Sequence, residues 1–130
     1  MNHRTNMEIE KELILHAART GDLPVLQELI KGEANVNVSD EQGYTALMLA
    51  VKNNHLAVVE LLIEYGANIN VQHQNGITAL ILATVMGNND LIKLLILHNA
   101  NTTICDSKGM RAVDFALQQG NDIAAKLLGN

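Results

Sequence analysis

One phrase returns along this chain at a constant interval of 33 residues. The segments DEQGYTALMLA, HQNGITALILA and DSKGMRAVDFA begin at Asp40, His73 and Asp106. The same interval aligns one set of alanines (Ala17, Ala50, Ala83 and Ala116) and one set of leucines (Leu29, Leu62, Leu95 and Leu128). A period of roughly 20 to 50 residues is typical of units that stack on copies of themselves. The pattern therefore predicts an N-terminal extension at 1–7 and a repeat domain at 8–130, with copies at about 8–39, 40–72, 73–105 and 106–130.

Each copy predicts two short helices followed by an extended loop. In the second copy, apolar residues recur at helical spacing in two groups (Ala46, Leu47, Ala50 and Val51, then Leu56, Val59, Leu62 and Ile63). Helices of about ten residues are marginal alone in water, so each needs neighbours. We expect the aligned alanines at points where adjacent helices approach closely, since a larger side chain would hold the repeats apart.

The loop residues predict specific backbone geometry. Asp at the first and Gly at the fourth position indicate type I turns at 40–43 and 106–109, whereas 73–76 keeps the glycine and loses the Asp. Asn37 and Asn70 are expected to bond the backbone of their loops.

The helix ends carry signals of their own. Gly66 and Asn99 follow the second helices of their copies, where a left-handed residue ends a helix. Glu33 fits that column poorly, and Gly32 one residue earlier predicts a shifted first turn. Pro24 falls in the first turn of its helix, where its missing N–H costs little.

The period, the G-x-T-A-L-x-L-A phrase and the G-A-N-x-N after the second helix resemble the ankyrin repeat over nearly the whole chain. This resemblance implies an all-α solenoid of stacked antiparallel helix pairs, with hairpin-like loops projecting at roughly right angles. It also implies a structural role for His55, which lies where the family commonly places a histidine between its two helices.

The chain departs from the family pattern in two columns. Alanine stands where the family usually has proline (Ala46, Ala79 and Ala112), and other residues replace its usual histidine (Met48, Ile81 and Asp114). The Thr–His hydrogen bond common in the family is therefore not available.

The first and last copies replace apolar residues by polar or small ones, as the unpaired ends of a solenoid require. The replacements are Glu12, His16 and Glu28 in the first copy and Ala124, Ala125 and Gly129 in the last. We expect a complete short array and a monomer.

Charge and composition narrow the partner and the compartment. A net charge of −5 opposes general affinity for nucleic acid or anionic lipid. The apolar stretches are too short to span a bilayer. A single cysteine, Cys105, and an N-terminus without a recognisable secretory signal favour the cytoplasm.

No catalytic or metal-binding motif is evident. The five histidines form no i, i+4 pair or Cys/His cluster, and no glycine-rich phosphate loop occurs. We expect no enzymatic activity, no metal and no cofactor. The alternative is a small-ligand or catalytic role in the groove beneath the loops.

In the resembled fold, loop tips and the exposed ends of the first helices line one concave face. The loop positions are Glu41, Gln42, Tyr44, Gln74, Asn75, Ile77, Ser107, Lys108 and Met110, and the helix positions are Arg19, Lys52, Asn53, Val85, Met86, Gln118 and Gln119. Three large apolar residues of the loops, Tyr44, Ile77 and Met110, occupy the same position of the repeat. Val85 and Met86 add two apolar residues at the helix end of the third copy. Apolar groups ringed by polar ones predict a surface that binds another protein. Alternatively, these side chains fold back and cover the helix ends.

Overall fold

The computed structural model describes residues 5–129, which form eight helices. They are α1 (Asn6–Thr20), α2 (Leu23–Lys31), α3 (Ala46–Lys52), α4 (Leu56–Glu64), α5 (Ala79–Val85), α6 (Asn89–Leu97), α7 (Ala112–Gln119) and α8 (Asp122–Leu127). Within these residues the only β-structure is an isolated bridge between Ser39 and Thr45. The predicted all-α repeat solenoid is confirmed. The predicted N-terminal extension lies partly outside the described residues, and α1 begins within its range.

The chain divides into two compact units, an N-terminal unit of Met1–Asn68 and a C-terminal unit of Ile69–Asn130. In the N-terminal unit, α1 packs on α2 and α3, while α4 packs on α3 and α2. In the C-terminal unit, α5 packs on α6 and α7, while α8 packs on α7 and α6. Each unit is thus two helix pairs, with first helices against first helices and second against second.

The cores of both units are aliphatic. The largest fully buried side chains include Ile14, Leu26, Met48 and Leu62 in the N-terminal unit and Leu80, Ile81, Leu91 and Leu95 in the C-terminal unit. All four aligned alanines of the first helices have no exposed surface (Ala17, Ala50, Ala83 and Ala116). Full burial of these small side chains agrees with the expected packing of helices at these positions. Met48 and Ile81 show how the family's histidine column is filled here, by apolar packing.

The left-handed residues that follow the second helices are at the expected column. Gly66 and Asn99 have φ angles of 90° and 67°. The predicted shift of the first turn is wrong, because Glu33 itself is left-handed at φ 63°, whereas Gly32 has φ −79°. The reason is a bond common to three copies: the N–H of Ala34 donates to the carbonyl of Leu29 at 3.1 Å. Keeping that bond requires a left-handed Glu33, at a cost of about 1 kcal/mol.

The side chains of Asn37 and Asn70 bond loop backbone, as expected, but that backbone belongs to the loop of the next repeat and not to their own. Asn37 donates from Nδ2 to the carbonyl of Gly66 at 3.1 Å and accepts at Oδ1 from the N–H of Asn68 at 2.7 Å. Asn70 accepts from the N–H of Asn101 at 2.8 Å in the C-terminal unit. These bonds connect successive loops within each unit.

The end repeats differ from the expectation at one end. Glu12, His16 and Glu28 are exposed in the first repeat, and Gly129 is exposed in the last, but Ala124 and Ala125 are buried and do not lie on an outer face. They belong to columns that pack inside the C-terminal unit, where α8 contacts α6 and α7. The exposed apolar residues of the last repeat are instead Leu117 and Ile123, at 51% and 58% exposure.

Candidate functional site

The loop tips are held by turns in which one side chain accepts two backbone N–H groups. Asp40 Oδ1 accepts from Gln42 at 3.0 Å and from Tyr44 at 2.9 Å. Asp106 Oδ1 accepts from Lys108 and Met110, both at 2.9 Å. An acceptor in this position fixes the residue two places on and the residue four places on. The turn therefore orients the tip and the apolar residue of its loop together.

The loop at 73–77 keeps the same turn without the aspartate. His73 is 9% exposed, and its Nδ1 accepts from the N–H of Asn75 at 3.1 Å and of Ile77 at 3.2 Å. The imidazole nitrogen thus supplies the acceptor that the sequence pattern suggested was missing. Ile77 is held by its loop in the same way as Tyr44 and Met110.

The two loops of the C-terminal unit lie against each other at Gly76. The N–H of Ser107 donates to the carbonyl of Asn75 at 2.9 Å. Gln72 donates from Nε2 to the carbonyls of Gly76 at 3.0 Å and Cys105 at 2.9 Å. A Cβ on Gly76 would stand 2.9 Å from the Asp106 Cα, so only glycine allows this approach. The backbone beneath the loop tips is therefore firmly packed.

A cavity of about 670 Å³ opens between these loops and the ends of α5 and α7. Its lining includes seven of the residues predicted from the sequence: Asn75, Ile77, Val85, Ser107, Lys108, Met110 and Gln118. Asp106 and Phe115 also line it and were not predicted. The structure thus brings together most of the candidate residues of the C-terminal unit.

The cavity combines an apolar floor with a polar rim. Ile77, Met110 and Phe115 are half-buried, and Val85 is 48% exposed. The rim residues are all exposed, and none of their side chains bonds to another described residue: Asn75, Ser107, Lys108 and Gln118. Polar groups that converge on an apolar surface without internal partners are a common feature of binding sites.

Phe115 lines the cavity but is not among the residues predicted from the sequence. It is the only phenylalanine of the chain and occupies the column of Leu49 and Leu82. Leu49 is buried at 5% exposure, whereas Phe115 is half-buried and reaches the cavity. An aromatic residue in a column of leucines was the available signal.

Three other predicted residues of the C-terminal unit, Gln74, Met86 and Gln119, do not line this cavity. Met86 is 41% exposed at the end of α5. Gln119 donates from Nε2 to the carbonyl of Val85 at 3.0 Å, which connects the ends of α7 and α5. Gln119 therefore has a structural contact in addition to its exposed position.

In the N-terminal unit, two predicted residues contact each other. The Lys52 ammonium lies 4.9 Å from the centroid of the Tyr44 ring, a cation–π arrangement that leaves Tyr44 half-buried. The side chain of Asn53 donates to the carbonyl of Leu49 at 2.8 Å. Arg19, Glu41 and Gln42 are exposed.

His55 has the structural role that was expected of it. Its Nε2 lies 3.0 Å from the carbonyl of Arg19, so the ring joins the second repeat to the first. The ring fills the space beside Gly21, where a Cβ would stand 2.5 Å from Nδ1. This contact holds the end of α1, where Arg19 is exposed.

Among residues 5–129 there is no group of three or more His, Cys, Asp or Glu side chains that could hold a metal ion. None of the helices in that range combines the length and apolar character needed to cross a bilayer.

The family comparison agrees with the repeat architecture. A model of ankyrin repeats in three copies matches residues 1–73 and again residues 66–130. The two matches together span the whole chain, and the helix pairs recur at the interval of the sequence repeat. The chain belongs to the ankyrin repeat family.

Proposed function

We propose that this chain is a non-enzymatic module that binds another protein through its loop tips and the ends of its first helices. Ankyrin repeats are generally protein–protein interaction modules and are typically non-enzymatic. The observation that carries the choice of surface is the cavity of the C-terminal unit, where an apolar floor is surrounded by polar side chains.

Exposed apolar area at this place favours association. Val85 and Met86 are 48% and 41% exposed, beside the partly exposed floor of the cavity. Burial of apolar surface contributes about 25 cal/mol per Å² removed from water. The turns at His73 and Asp106 hold the loops in place, which reduces the ordering cost of binding.

Charge and composition support further parts of the proposal: the class of partner, the location of the chain and its oligomeric state. The net charge of −5 supports a protein partner over nucleic acid or anionic lipid. The single cysteine supports a cytoplasmic location, and we propose that the chain acts as a monomer.

The proposal predicts that removing apolar side chains from the cavity abolishes partner binding while the fold stays stable. The test is the double variant Val85→Ser with Met110→Ser, used beside the wild type to enrich partners from a lysate of the native host. The matched control is Leu97→Ser with Ile123→Ser, since these residues are 73% and 58% exposed and do not line the cavity. Partners captured by the wild type and by the control, but not by the cavity variant, are the expected result.

Thermal unfolding of both double variants distinguishes a loss of fold from a loss of binding, because a folded variant keeps the unfolding temperature of the wild type. Equal capture by the cavity variant and the wild type would place the contact elsewhere. A thermal-shift screen against nucleotides, metals and metabolites tests the small-ligand alternative, and a large specific shift would favour it.

A further inference from the structure

We propose that the partner enters the cavity as an extended acidic segment, with an apolar side chain on the floor and a nearby carboxylate on Lys108. This inference rests on the proposed function and adds the chemistry of the occupant. It depends on three properties of the cavity: its donors, its charges and its exposure.

The rim is rich in hydrogen-bond donors. Lys108 carries three N–H donors and no acceptor, and the amides of Asn75 and Gln118 carry two donors each. The Ser107 hydroxyl adds another. None of these side chains is bonded to a described residue, so their donors face the occupant or water. The amide oxygens of Asn75 and Gln118 and the Ser107 hydroxyl also accept, so Lys108, which only donates, is the rim residue that favours a carboxylate over an ammonium group.

Two charged side chains, Asp106 and Lys108, line the cavity, and of the two only Asp106 bonds to other residues that the structure describes. Asp106 Oδ1 accepts two backbone N–H groups of its own turn, at 2.9 Å each. These bonds hold one oxygen of the carboxylate within its own loop. Lys108 has no ion pair among the described residues and is exposed. Lys108 is exposed and Asp106 is half-buried, so the more accessible charge in the cavity is positive, although the whole chain carries −5.

The exposure of the lining favours a peptide over a small molecule. A volume of about 670 Å³ is within the range of ligand pockets, but such pockets bury about 70–90% of their ligand. Here the four rim residues are exposed and Val85 is 48% exposed, so the cavity covers one side of its occupant. An extended segment with one anchoring side chain fits such a surface, as in other grooves that read short peptides.

The test uses the full chain and three pools of short, capped peptides, each with one Leu, Met or Phe near one variable residue. The variable residue is Glu in the first pool, Gln in the second and Lys in the third. Binding is followed by NMR through the methyl groups of Ile77, Val85 and Met110. The Lys108→Glu variant is compared with Lys93→Glu, which makes the same charge change on α6 outside the cavity.

The expected result is tighter binding of the Glu pool than of the Gln pool, by about threefold, with the Lys pool weakest. Lys108→Glu should reverse the order of the Glu and Lys pools, and Lys93→Glu should preserve it. The reversal distinguishes a pairing at Lys108 from a general effect of charge on the protein.

Other outcomes overturn the inference without deciding the proposed function. Equal binding of the three pools would show an apolar contact without charge preference. No shift with any pool, together with capture of partners that depends on Val85 and Met110, would show that the surface reads a folded partner. Shifts that grow with protein concentration in the absence of peptide would identify a second copy as the occupant.

Discussion

At the scale of single residues, the loop conformation depends on glycines at which even a Cβ atom would be unfavourable. Gly76 and Gly109 occupy the same column, with φ angles of 81° and 78°. A Cβ on Gly76 would stand 2.9 Å from both the Asp106 Cα and the Ser107 nitrogen, whereas a Cβ on Gly109 would have no neighbour within 4 Å. Both positions favour glycine because φ is positive, and Gly76 is also required by the close approach of the second loop.

We predict that Gly76→Ala destabilises the protein by about 3 kcal/mol and Gly109→Ala by about 1 kcal/mol. Both variants place alanine in the left-handed region, but only the first also forces neighbouring backbone apart. Urea unfolding of the two variants beside the wild type measures the difference. Equal losses would mean that loops 73–77 and 106–110 separate at little cost.

The turn at His73 could be predicted from the sequence, but the acceptor that holds it could not. The pattern identifies a turn at 73–76 from Gly76, and it registers the missing aspartate as a loss. The structure shows that the imidazole accepts the same pair of N–H groups as Asp40 and Asp106. The role of an atom in a turn depends on its position relative to the backbone, which residue type alone does not define.

At the scale of helices, α3, α5 and α7 have only seven or eight residues, so bonds that satisfy the N–H groups at their starts matter to their stability. Thr45 and Thr78 accept at Oγ1 from Met48 and Ile81, at 3.1 and 3.2 Å, and cap α3 and α5. The N-cap of α7 is Arg111, whose side chain does not cap the helix, and Asp114 Oδ2 accepts from the Arg111 N–H at 2.8 Å. In the last repeat, the start of the helix is therefore stabilised by Asp114, a residue of its first turn.

This difference predicts that Thr78→Ala and Arg111→Ala have unequal effects. Thr78 is 2% exposed, and its loss leaves the Ile81 N–H without an acceptor, at a cost of about 1 kcal/mol. Arg111→Ala keeps the backbone bond to Asp114 and loses only an exposed ion pair of 3.7 Å, so its effect should be within about 0.5 kcal/mol. Urea unfolding midpoints at constant slope measure both, and a larger loss for Arg111→Ala would contradict this account.

The helices could be predicted because their pattern is local and repeated. Two groups of apolar residues per copy predicted each helix pair, and the buried alanines are where the spacing placed them. Glu33 was misjudged because the bond from Ala34 to Leu29 outweighs the preference for glycine at that position. Phe115 was missed because its exposure depends on which neighbours cover it. Residue preferences therefore predict the helices, whereas backbone bonds and neighbouring side chains decide the conformation of Glu33 and the exposure of Phe115.

At the scale of the whole molecule, residues of one column differ in burial from copy to copy. The column of Ala18, Val51, Thr84 and Leu117 is fully buried in the first three copies and 51% exposed in the last. The residue there in the last copy is nevertheless the bulkiest of the four. Position in the array, more than residue type, therefore sets what a substitution does.

We predict that Val51→Lys destabilises the protein by about 3 kcal/mol or more, because it buries an ammonium without a partner. Leu117→Lys places the same group on a half-exposed site and should change stability by no more than about 1 kcal/mol. Urea unfolding at several protein concentrations measures both variants, with Ile123→Lys as a second exposed site. If Leu117→Lys were as damaging as Val51→Lys, Leu117 would have to be covered in solution. Should that damage grow with protein concentration, the cover would be another copy of the chain, in conflict with the proposed monomer.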